Sequence, residues 1–346
     1  MTRDRVTATD LEAYVLRLFA ALSVEEKQAR SVAANMIWSE LVGRENFGVL
    51  RIPIHVKRLR AGVLNPQSNP HFERTGTSAG VLNAENGFGY YAGDLATQHA
   101  VDLARETGIG IVGVKHSNFF GTGAYFAAQA ADKGMLSLVM SNSFPKVVAH
   151  GGLSAVLGTN PFAFGAPREN GDHLLVDFAT SSLAGSTVRE YLSKGEALPQ
   201  GLAIRPDGQP ETDPAKIGEA ALLPFGGAKG YGLSLMVEIL SGILSGAGFS
   251  DGVKSTYSNF ADNSDNGHCV IVIDVEKFMP LADFFARFEA FRALLKASSS
   301  EAEVLLPGEI RWANFKANSE NGLDIPQKIQ AELAALSAEF NIPTPW

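Results

Sequence analysis

The stretch Gly108-Ile-Gly-Ile-Val-Gly-Val114 combines β-branched residues with glycines and carries no charge. A short apolar run of this composition, bounded by turn residues, is typical of a buried β-strand. Three further stretches, at residues 136–140, 174–178 and 269–274, are likewise short and mainly apolar. The sequence therefore predicts a set of strands in the region that begins near Ala79.

Helical patterns separate these predicted strands. Residues 91–106 and 125–133 place apolar side chains at helical spacing. Residues 193–228 are rich in Gly, Pro and Asp, which predicts loops around short elements. Helices that alternate with strands predict a layered domain of the α/β or α+β class.

Both ends of the chain are predicted to be helical. Leu11, Val15 and Leu18 form one apolar stripe, and Ser23 with Glu26 matches a capping box at the start of a second helix. Residues 325–340 predict a last helix, which we expect to pack against the first two.

Two more helices are predicted in the second half of the chain. Residues 229–246 predict one of them, and in the apolar stretch 230–249 the central Glu238 favours a buried helix over a membrane span. Residues 281–297 predict a helix whose core face is formed by four phenylalanines. They are Phe284, Phe285, Phe288 and Phe291.

Composition excludes several classes of protein. The 346 residues carry a net charge of −8 without a basic block, which argues against nucleic acid or an anionic membrane as partner. The single cysteine, Cys269, excludes an intramolecular disulfide and favours the cytosol. None of the seven histidines pairs with another at metal-ligand spacing, so no metal site is predicted.

A glycine-rich turn with one lysine is the most specific candidate site. In Gly226-Gly-Ala-Lys-Gly-Tyr-Gly232, glycines and Lys229 precede a predicted helix, where backbone donors and a point charge suit a phosphate or carboxylate. A tight turn with a surface lysine remains the alternative. Neither 87–93 nor 121–123 has the spacing of a Rossmann fingerprint.

Other polar residues leave both a functional and a structural interpretation open. The clusters at 158–161 and 177–181 follow apolar strands and could orient a polar ligand or cap their own backbone. His116 follows a predicted strand and is the best positional candidate for a general acid or base. A solvent-facing loop histidine is the alternative for His116.

Five motifs in sequence order carry a family resemblance. They are Leu157-Gly-Thr-Asn-Pro161, Asp177-Phe-Ala-Thr-Ser181, Leu223-Pro-Phe-Gly-Gly-Ala-Lys-Gly-Tyr-Gly-Leu233, Gly267-His268 and Leu306-Pro-Gly-Glu309. From about Leu41 to Pro326 the chain resembles the malate/L-lactate dehydrogenase family, which lacks a Rossmann fold. That family includes ureidoglycolate, sulfolactate and diketogulonate dehydrogenases and reductases of cyclic imines such as piperideine-2-carboxylate.

The resemblance implies a mixed α/β fold with two domains. Residues 1–75 and about 310–346 would form a helical domain from both chain ends. Residues 76–309 would form a central α/β domain that binds a nicotinamide cofactor, NADPH or NADH, without a Rossmann fold. The resemblance also implies a homodimer.

The resemblance further implies which residues form the site. The cofactor would be lined by Asn118, Phe119, Phe120, Gly121, Thr122, Asp177, Phe178, Ala179, Ala228, Lys229, Gly230, Leu306, Pro307, Gly308 and Glu309. The substrate would be held by Phe47, Arg51 and Thr159. A guanidinium at Arg51 suits bidentate capture of a carboxylate.

The chain departs from the family pattern at four positions, Asn46, Phe47, Phe119 and Thr187. Relatives carry Ser-His-Gly where this chain has Asn46-Phe47-Gly48. They carry a second histidine where this chain has Phe119. Imine-reducing relatives place an aspartate where this chain has Thr187. Phenylalanine cannot transfer a proton, a step typically worth about 10²–10⁴-fold in rate.

These features predict an NAD(P)H-dependent reductase of a small carboxylate with C=N or C=O at carbon 2. An iminium substrate is already protonated and could lie against the rings of Phe47 and Phe119. For a 2-oxo acid, His116 or His150 would have to act as a substitute acid. The alternative is a repurposed family member with non-redox chemistry or no catalysis.

Overall fold

The computed structural model describes residues 5–183 and 185–346. Its strands are β1 His71–Arg74, β2 Ala79–Asn83, β3 Ile109–Ser117, β4 Met135–Ser141, β5 Val147–Val148, β6 Ala155–Leu157, β7 Phe162–Ala166, β8 Leu174–Phe178, β9 Ala203–Ile204, β10 Ala221–Leu222 and β11 Asn266–Asp274. Its α-helices are α1 Ala8–Ala21, α2 Glu26–Leu41, α3 Ile52–Arg60, α4 Gly89–Thr107, α5 Gly123–Ala131, α6 Gly185–Lys194, α7 Ala228–Glu238, α8 Leu281–Lys296, α9 Glu309–Asn321 and α10 Gln327–Phe340. The mixed α/β class is confirmed.

The larger sheet contains all four predicted strands. Its order is β1-β2-β3-β11-β4-β7-β8, with β2 and β3 parallel and the other neighbours antiparallel. Apolar residues of β3 and β11 face α4 on one side of the sheet, and those of β4 and β11 face α7 on the other. The central strands are therefore apolar because both of their faces are covered.

A smaller sheet combines two short strands of the glycine- and proline-rich region 193–228, β9 and β10, with β5 and β6 from earlier in the chain. Its order is β6-β5-β10-β9, and no strand of it exceeds three residues. Leu183, Leu198 and Leu222 belong to its apolar cluster. The prediction of loops around short elements is confirmed for the described residues.

The two chain ends pack together. Val6 pairs with Leu323 through two backbone hydrogen bonds, and the Tyr14 hydroxyl donates to the Leu333 carbonyl at 3.2 Å. Helices α1, α2 and α10 share one apolar cluster. The predicted packing of the last helix on the first two is confirmed, while the domain boundaries at 75 and 310 stay a prediction.

Two local predictions are wrong. Helix α2 is capped by Glu25, whose carboxylate accepts from the Lys27 and Gln28 amides, because Ser23 adopts φ of 59° in the turn after α1. The phenylalanine face of α8 is not core, since no residue of that helix is buried and Phe291 is 57% exposed. The contacts of α8 with the rest of the described chain are mainly polar, through the pairs of Glu289 with Arg168 and of Arg292 and Lys296 with Glu309.

One predicted helix is shorter than expected. Residues 229–246 form α7 and then a single π-helical turn, Ile239–Ile243. In the described part of the chain, no helix is long and apolar enough to cross a membrane. Nor do the described His, Cys, Asp and Glu side chains form a group of three or more that could hold a metal ion.

Candidate active site

The carboxyl end of β8 is the centre of the candidate site. The Asp177 carboxylate accepts a hydrogen bond from the Thr122 hydroxyl at 2.6 Å and from the Ala124 amide at 3.1 Å. Asp177 therefore caps the N-terminus of α5, where a negative charge is favoured. This contact joins the predicted cofactor segments 118–122 and 177–179.

The segment Leu306–Glu309 lies beside the same strand. The Leu175 amide donates to the Pro307 carbonyl at 3.1 Å, and the Arg311 guanidinium lies 3.8 Å from the Asp177 carboxylate. Arg311 is buried and lies in the first turn of α9, a helix that sequence reasoning missed. Glu309 is engaged by Arg292 and Lys296 of α8.

The glycine-rich turn also reaches the end of β8. Phe225 contacts Phe178 with ring centroids 5.6 Å apart, and its amide donates to the Thr180 carbonyl at 3.1 Å. Gly226 and Gly227 have φ of 57° and 62°, which bends the chain into the start of α7. A Cβ at Gly230 would lie 2.2 Å from the Phe225 carbonyl oxygen, so the turn requires glycine there.

Lys229 projects from this turn into solvent. The side chain is exposed and forms no ion pair with the carboxylates that the structure describes. It therefore adds an uncompensated positive charge to the N-terminus of α7. Three of the predicted cofactor segments thus meet around the carboxyl end of β8, while the fourth, Leu306–Glu309, contacts the strand near its start.

Residues 118–121 are fixed by contacts with Gly87 and His268. The buried Asn118 amide donates to the Gly87 carbonyl at 2.9 Å, and the Phe120 ring stacks on His268 with centroids 4.6 Å apart. His268 lies between the hydroxyls of Ser117 and Ser141, each 2.8 Å from a ring nitrogen. Burial lowers the pKa of His268 to about 3, so this imidazole is neutral.

The predicted substrate residues lie next to Phe119. Phe47 stacks on Phe119 with centroids 6.2 Å apart and an interplanar angle of 11°. The Arg51 guanidinium carbon is 5.5 Å from the Phe119 centroid, a cation–π contact. Arg51 Nε donates to the Asn46 carbonyl at 2.6 Å, and the terminal nitrogens have no hydrogen-bond partner among the described residues. Arg51 therefore presents two free donors.

Thr159 approaches the site from another direction. Its hydroxyl lies 3.3 Å from the Ser143 hydroxyl, and its carbonyl accepts from the Thr180 amide at 2.9 Å. Thr159 is thus tied to the segment after β8 and has no direct contact with Arg51. Phe144, the residue after Ser143, contacts Tyr257, and Tyr257 contacts Arg51.

Sequence reasoning missed Tyr257 and Glu40. The Glu40 carboxylate is buried and accepts a hydrogen bond from the Val49 amide at 2.8 Å. It also occupies the space beside Gly48, where a Cβ would lie 1.9 Å from its oxygen. Glu40 therefore fixes the segment that carries Phe47 and Arg51, and burial raises its pKa to about 8.

His116 lies apart from Arg51 and Phe119. It has φ of 53°, and its Nδ1 is 2.9 Å from the Asp265 carboxylate. Both side chains line a cavity of about 370 Å³ together with Asn83, Glu85, Asn86 and Asn263. The role of His116 as an acid stays a prediction. In this position the His116 ring pairs with Asp265 and not with Arg51.

Comparison with known proteins places the chain in a family. The malate/L-lactate dehydrogenase family model matches residues 6–334. L-Sulfolactate dehydrogenase of Methanothermobacter thermautotrophicus is 33% identical over 98% of both chains. Delta(1)-pyrroline-2-carboxylate/Delta(1)-piperideine-2-carboxylate reductase of Pseudomonas putida is 32% identical over 94% of both chains.

A solved structure supports the same conclusion. Malate dehydrogenase from Entamoeba histolytica superposes with a TM-score of 0.93 at 27% identity, covering 99% of both chains. The match extends over both the helical ends and the central sheet. This chain therefore belongs to the malate/L-lactate dehydrogenase family and is an enzyme of the oxidoreductase class.

Proposed function

We propose that the protein is an NAD(P)H-dependent reductase of a small 2-imino or 2-oxo carboxylate, with a cyclic imine favoured. The observation that carries the proposal is Arg51, whose two free donors lie against Phe119 and beside the converging cofactor segments. Its relatives include a pyrroline- and piperideine-2-carboxylate reductase and dehydrogenases of sulfolactate and malate.

The residues at the end of β8 fit a dinucleotide. The start of α7 offers backbone donors in a glycine turn and the unpaired Lys229, a donor set suited to phosphate. Asn118–Thr122, Asp177–Ala179 and Leu306–Glu309 would surround the remainder of NADH or NADPH. When bound, the cofactor supplies the hydride.

The substrate would be oriented through its carboxylate. The terminal nitrogens of Arg51 can form two parallel hydrogen bonds to a carboxylate, which fixes its plane. The Thr159 hydroxyl would hold the opposite side of the substrate. Because Asn46 already holds Arg51 Nε, little side-chain freedom is lost on binding.

The two phenylalanines favour an imine over a 2-oxo acid. Reduction of a carbonyl requires a proton donor near the oxygen, and neither Phe47 nor Phe119 can supply one. A cyclic iminium already carries its proton, and its positive charge is attracted to the face of an aromatic ring. For 2-oxo acids, His116 would have to be the proton donor, and its Nδ1 lies 2.9 Å from the Asp265 carboxylate.

Turnover with both nucleotides tests the proposal. NADH and NADPH oxidation is followed by nicotinamide absorbance with Δ1-piperideine-2-carboxylate, Δ1-pyrroline-2-carboxylate, pyruvate and oxaloacetate. We expect oxidation with at least one cyclic imine at a kcat/KM above that for either oxo acid. Equal or faster reduction of the oxo acids, abolished in His116→Gln, would support the histidine mechanism. No turnover of any of these acids would favour the repurposed alternative.

We propose in addition that the chain forms a homodimer in the cytosol. Helix α7 and the following turn expose a row of large apolar side chains. They are Leu235, Ile239, Ile243 and Leu244. Leu244 is 64% exposed, and a row of this kind is typical of a protein interface. Analytical ultracentrifugation should give twice the chain mass of 36.8 kDa.

A further inference from the structure

We propose that Tyr257 determines substrate specificity by forming the second aromatic wall of the Arg51 site, where it selects carboxylates with a planar ring. This inference rests on the proposed function only for the class of substrate. Neither the family resemblance nor the comparisons assign a role to this residue.

The Arg51 guanidinium joins two aromatic pairs. Its carbon is 5.5 Å from the Phe119 centroid and 5.2 Å from the Tyr257 centroid. Phe119 stacks on Phe47, and Tyr257 meets Phe144 edge-on with centroids 6.0 Å apart. The two rings next to Arg51 come from positions 138 residues apart in the sequence, so only the fold brings them together.

Tyr257 is carried by a loop that is tied to the body of the protein. The loop closes on itself through the Lys254 amide and the Ser264 carbonyl, 2.9 Å apart. The buried Arg58 donates to the Asn259 carbonyl at 2.8 Å, and Asn86 donates to the Asn263 side chain at 2.9 Å. The loop that carries the ring is therefore held in place before any ligand binds, which lowers the entropic cost of a contact with Tyr257.

A carboxylate on Arg51 brings its attached carbons to these rings. The carboxylate and the guanidinium of a bidentate pair are coplanar, so the rest of the acid extends beside the same aromatic faces that contact the guanidinium. Tyr257 is 42% exposed and its ring still has accessible surface. A flat ring can stack on that surface, whereas a chair-shaped saturated ring cannot stack with its full face.

Binding of two matched acids tests the inference without requiring turnover. Isothermal titration calorimetry with benzoate and with cyclohexanecarboxylate is carried out on the full chain saturated with NADH or NADPH, or without nucleotide if neither binds. We expect the wild-type chain to prefer benzoate about three- to tenfold. Tyr257→Ala should reduce the preference to what the remaining Phe119 wall contributes, and Tyr257→Phe should keep it in full.

A control on the same loop separates specificity from loop damage. Phe260 lines the neighbouring cavity of about 650 Å³ and does not contact Arg51. Phe260→Ala should retain the wild-type preference, and circular dichroism checks that each variant is folded. The inference is overturned by a wild-type chain that binds neither acid, by equal wild-type affinities, or by a preference that is undiminished in Tyr257→Ala. If the wild-type chain prefers benzoate but reduces none of the cyclic imines and 2-oxo acids of the turnover assay, the proposed function fails and the inference stands.

Discussion

Phe47 and Phe119 lie nearly parallel, with ring centroids 6.2 Å apart, directly beside the guanidinium of Arg51. The two rings come from different parts of the fold: Phe47 precedes α3, and Phe119 follows β3. Their contact closes one side of the space in which a carboxylate on Arg51 would lie. An apolar wall there stabilises a flat or cationic substrate and provides no proton.

We predict that Phe47→His increases reduction of 2-oxo acids. An imidazole at this position could donate the proton that the carbonyl oxygen requires, and such a donor is typically worth about 10²–10⁴-fold. We expect a rise of at least about tenfold in kcat/KM for pyruvate or oxaloacetate, with little change for cyclic imines. The matched control is Phe47→Leu. An equal change for oxo acids and imines would show that position 47 does not limit proton transfer.

Lys229→Gln is predicted to weaken nucleotide binding about 10–100-fold, because one charge-assisted hydrogen bond to phosphate is lost. Lys229→Arg should retain most of the affinity. Fluorescence titration measures both dissociation constants. Similar affinities for wild type and Lys229→Gln would mean that the start of α7 does not hold a phosphate group.

Asp177→Asn is predicted to destabilise the protein by about 2–4 kcal/mol, since it leaves the buried Arg311 without a counter-charge. Urea unfolding measures the loss. Lys316→Met is the control, because its pair with Asp172 is formed by a lysine side chain that is mostly exposed. That variant should lose less than about 1 kcal/mol. Equal losses in the two variants would contradict a structural role for the Asp177–Arg311 contact.

Glu40 should make stability fall as pH rises. Its folded pKa of about 8 lies above the ordinary 4.5, so between these values the folded chain holds a proton that the unfolded chain has released. The folded state is then disfavoured progressively up to about pH 8. Glu40→Gln keeps an acceptor for the Val49 amide and removes this titration. We expect the free energy of unfolding of the variant, relative to that of wild type, to rise by about 3–5 kcal/mol between about pH 4 and pH 9.

Urea unfolding across that range measures the difference for Glu40→Gln. Glu45→Gln is the matched control, because Glu45 is exposed and lies near Glu40. A pH dependence that is the same in wild type and Glu40→Gln would show that Glu40 keeps its ordinary pKa in the folded chain.

The sequence predicted the strands well because their composition reflects burial on both faces. The strand predicted from Gly108 corresponds to β3, Ile109–Ser117, and the strand predicted at 174–178 matches β8 in full. Helix α9 was missed because its 13 residues carry a weak apolar pattern. The prediction that the phenylalanine face of α8 is buried in the core was wrong, because periodicity shows that a helix has an apolar side without showing what covers it.

The candidate site was only partly accessible to sequence reasoning. Family motifs supplied the segments around β8, and the structure brings these segments together. Tyr257 could not be found this way, because its contact with Arg51 depends on a loop about 200 residues further along the chain. Glu40 gave no signal either, since a glutamate near a helix end is usually exposed and its burial depends on Gly48.

The most direct test of the account is a titration of the purified chain with NADH and with NADPH, followed by nicotinamide fluorescence. The account predicts saturable binding of at least one of the two nucleotides below about 1 mM, the upper range of ordinary Michaelis constants. Binding should weaken in Lys229→Gln. Absence of binding of both nucleotides at that concentration would contradict the assignment of the β8 end as a nicotinamide site.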